Sequence, residues 1–157
     1  MEPTRDPIIT QYQLEAHPEG GFYREYFRAP LTVQTPFGER AAATSIWFYL
    51  PVGQVSHFHR LTSDEIWYWH HGGNAVLHCI APDGSYTMHT IGAQPPATTY
   101  VCVLPAGTWF AAEPQHGGVL VSAMVAPGFE FADFELGSKL ELIAQFPQHR
   151  DCIERYT

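Results

Sequence analysis

Two histidines and a glutamate stand close together in the segment VGQVSHFHRLTSDEIWYWHHGG, residues 52–73. Alternate residues of a strand share a face, so a strand through His57 and His59 points both imidazoles the same way. The connection RLTSD is short enough to fold the chain back and bring Glu65, on the next strand, alongside them. These three side chains are the catalytic candidates.

Two kinds of chemistry fit this group. Two imidazoles and one carboxylate are ligands that a divalent ion such as Fe(II), Zn(II), Ni(II) or Mn(II) accepts, with positions left open for water or substrate. Without a metal, the same residues can move protons, because a histidine titrates near neutral pH and burial raises the pKa of a carboxyl. The spacing leaves both alternatives open.

The elements that must position these residues are short strands. Runs rich in β-branched and aromatic residues are separated by turns that contain Pro and Gly, which favours an antiparallel sandwich or barrel. The predicted strands are 42–50, 64–71, 74–81, 85–91, 98–104, 108–113, 119–126 and 129–136. Helices are predicted only near the ends, at 6–14 with Asp6 as N-cap and at 138–146 with Ser138 as N-cap. Residues 1–157 form one predicted domain.

Composition excludes several function classes. A net charge of −8 without a basic block argues against a nucleic-acid partner or an anionic membrane surface. No stretch approaches the roughly 18 apolar residues of a membrane span, and the start has no apolar signal-type region, so a cytoplasmic protein is predicted. Residues 46–49 are apolar on both strand faces, which fits either a plain core or a wall covered by a second subunit in a homodimer.

Further residues are candidates for binding a small molecule. In HPEGGFYRE, Gly20 and Gly21 allow a tight bend, which either makes a plain surface turn or places Glu19, Tyr23 or Arg24 over a barrel mouth. Aromatic side chains are first of all packing, and some of them can also stack on a planar or sugar ring. The aromatic candidates are Tyr49, Trp67, Trp69 and Phe110. Histidines 17, 89, 116 and 149 are interpreted as ordinary loop or surface residues.

The motif Gly53, His57-x-His59, Glu65 and Gly72 resembles the first signature of the cupin superfamily, and LPAGTWF (104–110) resembles the second. Segments 16–28, 125–136 and 140–157 further resemble the small single-domain Cupin_5-type family, whose members are mostly of unassigned function. The resemblance implies an all-β fold, a double-stranded β-helix or jelly-roll barrel with short terminal helices. It also makes His78 either a third imidazole of the site or a buried histidine bonded to a carbonyl.

The chain departs from the superfamily pattern at one metal-ligand position. Cupins usually hold metal with three histidines and a glutamate, and Phe110 stands where the last histidine is expected. The gap between His59 and Glu65 is also one residue longer than usual.

By analogy with sugar-epimerising cupins, the expected function is an isomerase or epimerase acting on a polar carbonyl or sugar-derived compound. In that reaction a histidine abstracts a proton, and Glu65 or a tyrosine stabilises the enolate. The alternatives are a metal-dependent cupin enzyme that uses His57, His59 and Glu65, and a non-catalytic metabolite-binding module.

Overall fold

Strands dominate the computed structural model, which describes residues 6–157. The strands are β1 (Glu15–Ala16), β2 (Phe22–Arg28), β3 (Thr32–Thr35), β4 (Gly38–Ala41), β5 (Thr44–Leu50), β6 (Ser56–Leu61), β7 (Asp64–Ile80), β8 (Tyr86–Ile91), β9 (Val101–Leu104), β10 (Trp109–Ala126) and β11 (Phe134–Leu136). All their pairings are antiparallel, and nine of the strands curl into one sheet. The predicted all-β barrel is therefore confirmed.

The long strand β10 organises the sheet. It pairs with β7 along most of its length, with β6 through its first half and with β5 through its second half. Strands β1 and β2 extend the sheet beyond β5, and β11 extends it beyond β6. Strands β3 and β4 form a separate hairpin. Neither β2 nor this hairpin is among the predicted strands.

Two glycine pairs that were predicted as turns lie instead inside β7 and β10. Gly72 is opposite Val119, at the point where the register of the two strands shifts. A Cβ atom on Gly73 would stand 2.3 Å from the carbonyl oxygen of Gln115, so only glycine permits this close approach. The predicted strands 64–71 and 74–81 are therefore one bent strand, β7, and the predicted strands 108–113 and 119–126 are one bent strand, β10. The glycines permit close backbone contact and bending and do not form turns.

The helices begin where the capping residues predict. Helix α1 spans Pro7–Gln11, and the backbone N–H of Ile8 donates to the Asp6 carboxylate at 2.9 Å. Helix α2 spans Lys139–Gln145 with Ser138 as its N-cap. A 3-10 turn and helix α3 (Arg150–Arg155), which the sequence did not predict, follow. Among residues 6–157, no helix is long and apolar enough to cross a membrane.

Three buried clusters hold these elements together, and the smallest packs helix α1 against the sheet through Leu14, Tyr49 and Leu120. The inner cluster lies within the barrel and includes Phe48, Trp67 and Phe110. The outer cluster packs the C-terminal helices against the barrel wall through residues that include Phe58 and Tyr156. Each large apolar side chain that is fully buried stabilises the fold by about 1.5–3 kcal/mol relative to an exposed one. The barrel wall is thus packed on both faces, as expected for strands that are apolar throughout.

Candidate active site

A cavity of about 550 Å³ opens against the inner cluster. Its inner end is built from buried residues: His17, Glu19, His59, Glu65 and Trp67. Its rim is exposed and polar, and all of its residues except Gln13 are charged: Gln13, Glu15, Arg24, Glu25, Arg28 and Glu130. The wall between them is mainly apolar and includes Ile46, Phe48, Leu61, Ala123, Val125, Phe129 and Phe134. A concave, mostly apolar cavity with a few convergent polar groups is the usual form of a small-molecule site.

A β-bulge decides which histidine of β6 faces this cavity. Phe110 pairs with His59 and Ala112 pairs with Ser56, so β6 advances three residues where β10 advances two. The extra residue places Ser56 and His59 on the same side, although they are three positions apart. The expectation that His57 and His59 point the same way is therefore wrong.

His57 does not line the cavity, and its contacts explain where it points. Its backbone N–H and its ring Nδ1 both approach the carbonyl oxygen of Glu19, at 2.7 and 2.8 Å. A carbonyl only accepts, so the ring must carry its proton on Nδ1. His57 thus fixes the backbone of Glu19 and is not one of the groups that face the cavity.

Glu19 is held on several sides although it comes from the N-terminal segment. Its side chain is 6% exposed, and Ser56 donates its hydroxyl to Oε1 at 2.8 Å. Oε2 lies 3.1 Å from Nε2 of His59 and 3.6 Å from Nδ1 of His17. Burial raises the pKa of Glu19 well above its ordinary value, and the nearby charge of Glu65 raises it further.

The two buried histidines of the inner end are neutral. Burial lowers the pKa of His59 to about 3 and that of His17 to about 4. Nδ1 of His59 lies 2.7 Å from the carbonyl oxygen of His57 and must donate there, so Nε2 presents a lone pair to Glu19. A protonated Glu19 carboxyl and a neutral His59 satisfy each other. The contact is therefore a neutral one and not an ion pair.

Glu65 is the least satisfied polar group of the cavity. Trp67 donates its indole N–H to Oε1 at 3.0 Å, and Oε2 is buried without a hydrogen-bond partner among the described residues. Burial raises the pKa of Glu65 to about 7, which the hydrogen bond from Trp67 opposes. At neutral pH the carboxyl can therefore both give and take a proton.

The N-terminal segment supplies one side of the rim. Tyr23 and Arg24 lie on β2 and line the cavity, as the barrel-mouth interpretation of HPEGGFYRE predicts. Arg28 is bound to the carboxylates of Glu25 and Glu130 at 2.8 and 3.0 Å. In the described chain, the side-chain hydrogen bond of Arg24 goes to the neutral amide of Gln13. Arg24 is thus the rim cation that is not held by a carboxylate in this structure.

Four other predicted ligand residues lie away from the cavity. Tyr49 donates its hydroxyl to Asp6 at 2.6 Å on the opposite face of β5. Trp69 packs against the inner cluster and donates to the carbonyl oxygen of Gly73 at 2.8 Å, and it is not among the residues that line the cavity. Tyr49 stands one position after Phe48 on β5, whose pairing with β10 has no bulge, so alternation places it on the face opposite the cavity.

His78 and Phe110 complete that set. His78 lies on the outer side of the wall beside Glu113 and Tyr86, so it adds no imidazole to the cavity. Phe110 packs behind His59, with ring centroids 4.1 Å apart, and is 2% exposed. It fills space beside the imidazole and does not line the cavity.

His17 is the main residue that sequence reasoning missed. It was interpreted as an ordinary loop histidine, yet it is 9% exposed and its ring contacts Tyr23 edge-on at 4.6 Å. Its Nδ1 accepts the backbone N–H of Glu19 at 3.1 Å. The available signal was its position two residues before Glu19 in His-Pro-Glu. Phe129, Phe131 and Phe134 were also missed, since they lie in a region predicted only as a strand.

The donor set of the cavity does not fit a cupin metal centre. The residue that shares the cavity face with His59, two positions along β6, is Leu61, which has no ligating atom. Phe110 stands where the cupin pattern has its last histidine, and a phenyl ring cannot coordinate a metal. Over residues 6–157, no three His, Cys, Asp or Glu side chains are arranged to hold a metal ion. The predicted set of His57, His59 and Glu65 is not assembled, because His57 faces the backbone of Glu19.

Comparison with known proteins identifies relatives of the whole chain. The family model Cupin_5, described as Cupin superfamily (DUF985), matches residues 6–137. The chain is 29% identical to the uncharacterized protein YML079W of Saccharomyces cerevisiae, with 80% of this chain and 71% of the yeast protein aligned. It is 40% identical to protein SO0799 from Shewanella oneidensis, with a TM-score of 0.88 over 100% of this chain and 98% of that one.

Two other solved structures extend the comparison. A hypothetical protein from Leishmania major has a TM-score of 0.91 at 32% identity, with 99% of both chains covered. Oxalate decarboxylase from Bacillus subtilis has a TM-score of 0.59 at 18% identity, with 90% of this chain and 36% of that chain covered. A likeness at that identity shows the shared fold alone.

Proposed function

We propose, from the premise that this chain belongs to the Cupin_5 family of the cupin superfamily, that its cavity catalyses proton transfer on a small carbonyl compound. The family resemblance drawn from the sequence motifs is confirmed by the match over residues 6–137. The proposed reaction class is an isomerisation or epimerisation. The observation that carries it is Glu65, a buried carboxyl in the cavity with one unpartnered oxygen and a pKa raised to about 7.

The carboxyl groups of the inner end have separate roles in this proposal. Glu65 in its ionised form takes the proton next to the carbonyl. Glu19 is the protonated carboxyl that lines the cavity; its O–H is bonded to Nε2 of His59 in this structure, and in the proposed reaction it turns from that acceptor to donate to the oxygen on which enolate charge develops. Pairs of titratable groups in different environments commonly divide acid and base roles in this way.

This division reverses the roles expected from the sequence. A histidine was expected to abstract the proton, with Glu65 or a tyrosine stabilising the charge. Burial lowers the pKa of His59 to about 3, so its imidazole is a poor base at neutral pH. Its Nε2 also faces Oε2 of Glu19 at 3.1 Å. His59 instead orients Glu19, and a neutral imidazole next to it favours the protonated carboxyl.

The cavity wall favours one kind of carbonyl compound. Between the inner end and the rim, the wall offers Ile46, Phe48 and Val125, which cannot satisfy the hydroxyl groups of a sugar. Arg24 at the rim is suited to a carboxylate or phosphate. We therefore favour an acidic carbonyl compound with an apolar or planar body over the sugar-derived compound expected by analogy.

The test is exchange of carbonyl-adjacent protons in D₂O, followed by proton NMR. The panel contains 2-oxo acids with aliphatic and aromatic bodies, hydroxy ketones, and free and phosphorylated sugars. Wild-type protein is expected to exchange at least one 2-oxo acid, and Glu65→Gln to lower the rate by about 10²- to 10⁴-fold, as expected for loss of a general base. Glu39→Gln, on the exposed β3–β4 hairpin, is the matched control.

Two outcomes contradict the proposal. Equal rates for wild type and Glu65→Gln remove the assigned base. Binding of a panel compound, seen as line broadening, without exchange in any protein favours the non-catalytic metabolite-binding module.

A further inference from the structure

The bulge of β6 leaves the backbone N–H and C=O of Phe58 without a partner in β10. Phe58 lies between the two residues of β6 that pair with β10, Ser56 and His59. Its backbone N–H donates to the carbonyl oxygen of Tyr156 at 2.9 Å, and its carbonyl accepts from the N–H of Gly137 at 2.7 Å. A buried peptide group without partners costs about 1–3 kcal/mol, so these contacts are needed for the bulge to persist.

The carbonyl of Tyr156 is fixed by the side chain of the same residue. The Tyr156 hydroxyl donates to Oε1 of Glu113 at 2.6 Å, and its ring stacks on His78 with centroids 4.4 Å apart. Its side chain is buried within the outer cluster, where its ring meets that of Phe58 edge-on. The C-terminal end is therefore docked by polar and apolar contacts on the outside of the wall that carries His59.

We propose that Tyr156 is a positioning residue for His59, which lies on the other face of the same strand. The bulge gives His59 its cavity orientation, and the two N–H groups inside the bulge are held by opposite ends of the chain. Glu19 accepts from His57, and Tyr156 accepts from Phe58. The family model ends at residue 137, so this second contact comes from outside the matched region.

The consequence for the site follows from the contacts of His59. Its Nδ1 proton goes to the carbonyl oxygen of His57, which belongs to the bulge. The His57 carbonyl and the Phe58 N–H belong to the same peptide group, so loss of the Tyr156 acceptor lets that carbonyl shift, and the tautomer of His59 is no longer fixed. The neutral pairing of His59 with Glu19 then weakens. This inference rests on the proposed function only for its catalytic readout.

The experiment compares Tyr156→Ala with wild type in the full-length chain labelled with ¹⁵N. Amide exchange of Phe58 is expected to be about tenfold faster, since its acceptor is no longer docked. The His59 Nδ1–H signal is expected to broaden or vanish. Where the wild type exchanges a carbonyl compound, kcat is expected to fall about tenfold while KM stays within about twofold, as for lost alignment.

Two further variants make the result decisive. Leu120→Ala removes a buried side chain from a separate cluster, so it lowers stability while leaving the chemical shifts of the Phe58 amide and the His59 Nδ1–H unchanged; its Phe58 exchange rate gives the acceleration that lost stability alone causes. Tyr156→Phe keeps the ring and removes only the hydroxyl, and it decides the question if Tyr156→Ala does not fold. It is expected to accelerate Phe58 exchange about two- to threefold.

Unchanged Phe58 exchange and an unchanged His59 signal in a folded Tyr156 variant would overturn the inference. Absence of turnover in the wild type would instead count against the proposed function. The NMR signals decide the positioning role in either case.

Discussion

Two histidine–glutamate contacts of nearly equal length lie on opposite sides of the barrel wall. In the cavity, Nε2 of His59 lies 3.1 Å from Glu19. On the outside, Nε2 of His78 lies 3.2 Å from Glu113. The distances alone do not distinguish them. The groups around each contact do, and they indicate which pair belongs to a functional site.

In the outer pair, both ring nitrogens of His78 and both carboxylate oxygens of Glu113 have a polar partner. His78 contacts the Tyr86 hydroxyl through Nδ1, and Glu113 accepts from Tyr156 and lies 3.5 Å from a guanidinium nitrogen of Arg155. Near the inner pair, no cation approaches the buried carboxyls in the described chain, and Oε2 of Glu65 has no partner. The outer network, whose polar atoms are partnered, docks the C-terminal helix. Within residues 6–157 the inner network has a carboxylate oxygen without a partner, so it can still bind a ligand.

The largest expected difference between the two sites is in the pH dependence of stability. Below pH 4.5, Glu65 is protonated in both the folded and the unfolded chain. Between 4.5 and about 7 only the unfolded chain ionises it, so the free energy of unfolding falls as pH rises. The fall is about 3 kcal/mol over this window.

Urea unfolding of wild type and Glu65→Gln at pH 5 and pH 8 measures this fall. The comparison must be between the two proteins, because His17 and His59, whose pKa values are lowered, act in the opposite sense as pH falls below 6.5. Glu65→Gln is expected to gain stability over wild type at pH 8 and not at pH 5. An equal difference at both pH values would mean that Glu65 is ionised throughout.

Removing the carboxylate of the outer pair should lower the free energy of unfolding, whereas Glu65→Gln is expected to raise it at pH 8. Glu113→Leu leaves the Tyr156 hydroxyl and Nε2 of His78 without their acceptor. The expected loss of stability is about 2 kcal/mol, because buried donors remain unsatisfied. Glu113→Gln keeps an acceptor oxygen and should lose less. A Glu113→Leu protein as stable as wild type in urea would show that the outer network contributes nothing.

The same comparison shows what the sequence could and could not predict. Alternation and turn residues predicted the barrel, and the capping residues Asp6 and Ser138 predicted where two helices begin. Glu19 and Glu65 were named from the motifs, and both line the cavity. These features are local, since each depends on a few neighbouring residues along the chain.

The features that failed depend on contacts between distant segments. His57 was assigned to the cavity because ideal alternation was assumed, while its orientation follows from a bulge held by Glu19 and Tyr156, 38 and 99 positions away. Gly72 and Gly73 look like a turn, yet they permit close approach to β10. His17 gave no periodic signal, because its burial depends on the sheet that folds over it.

The smallest expected effect is at Tyr86, which contacts the outer histidine from the exposed side. Tyr86→Phe removes a hydroxyl that lies 2.7 Å from Nδ1 of His78 and leaves the stacked rings in place. Because Tyr86 is 38% exposed, water can replace the lost partner, and the expected loss is about 0.5–1 kcal/mol at pH 7. Thermal unfolding should therefore shift by only a few degrees. The carbonyl-exchange rate should stay at the wild-type value, since Tyr86 lies outside the cavity; a tenfold loss of that rate would place the outer histidine in the catalytic machinery and erase the distinction between the two pairs.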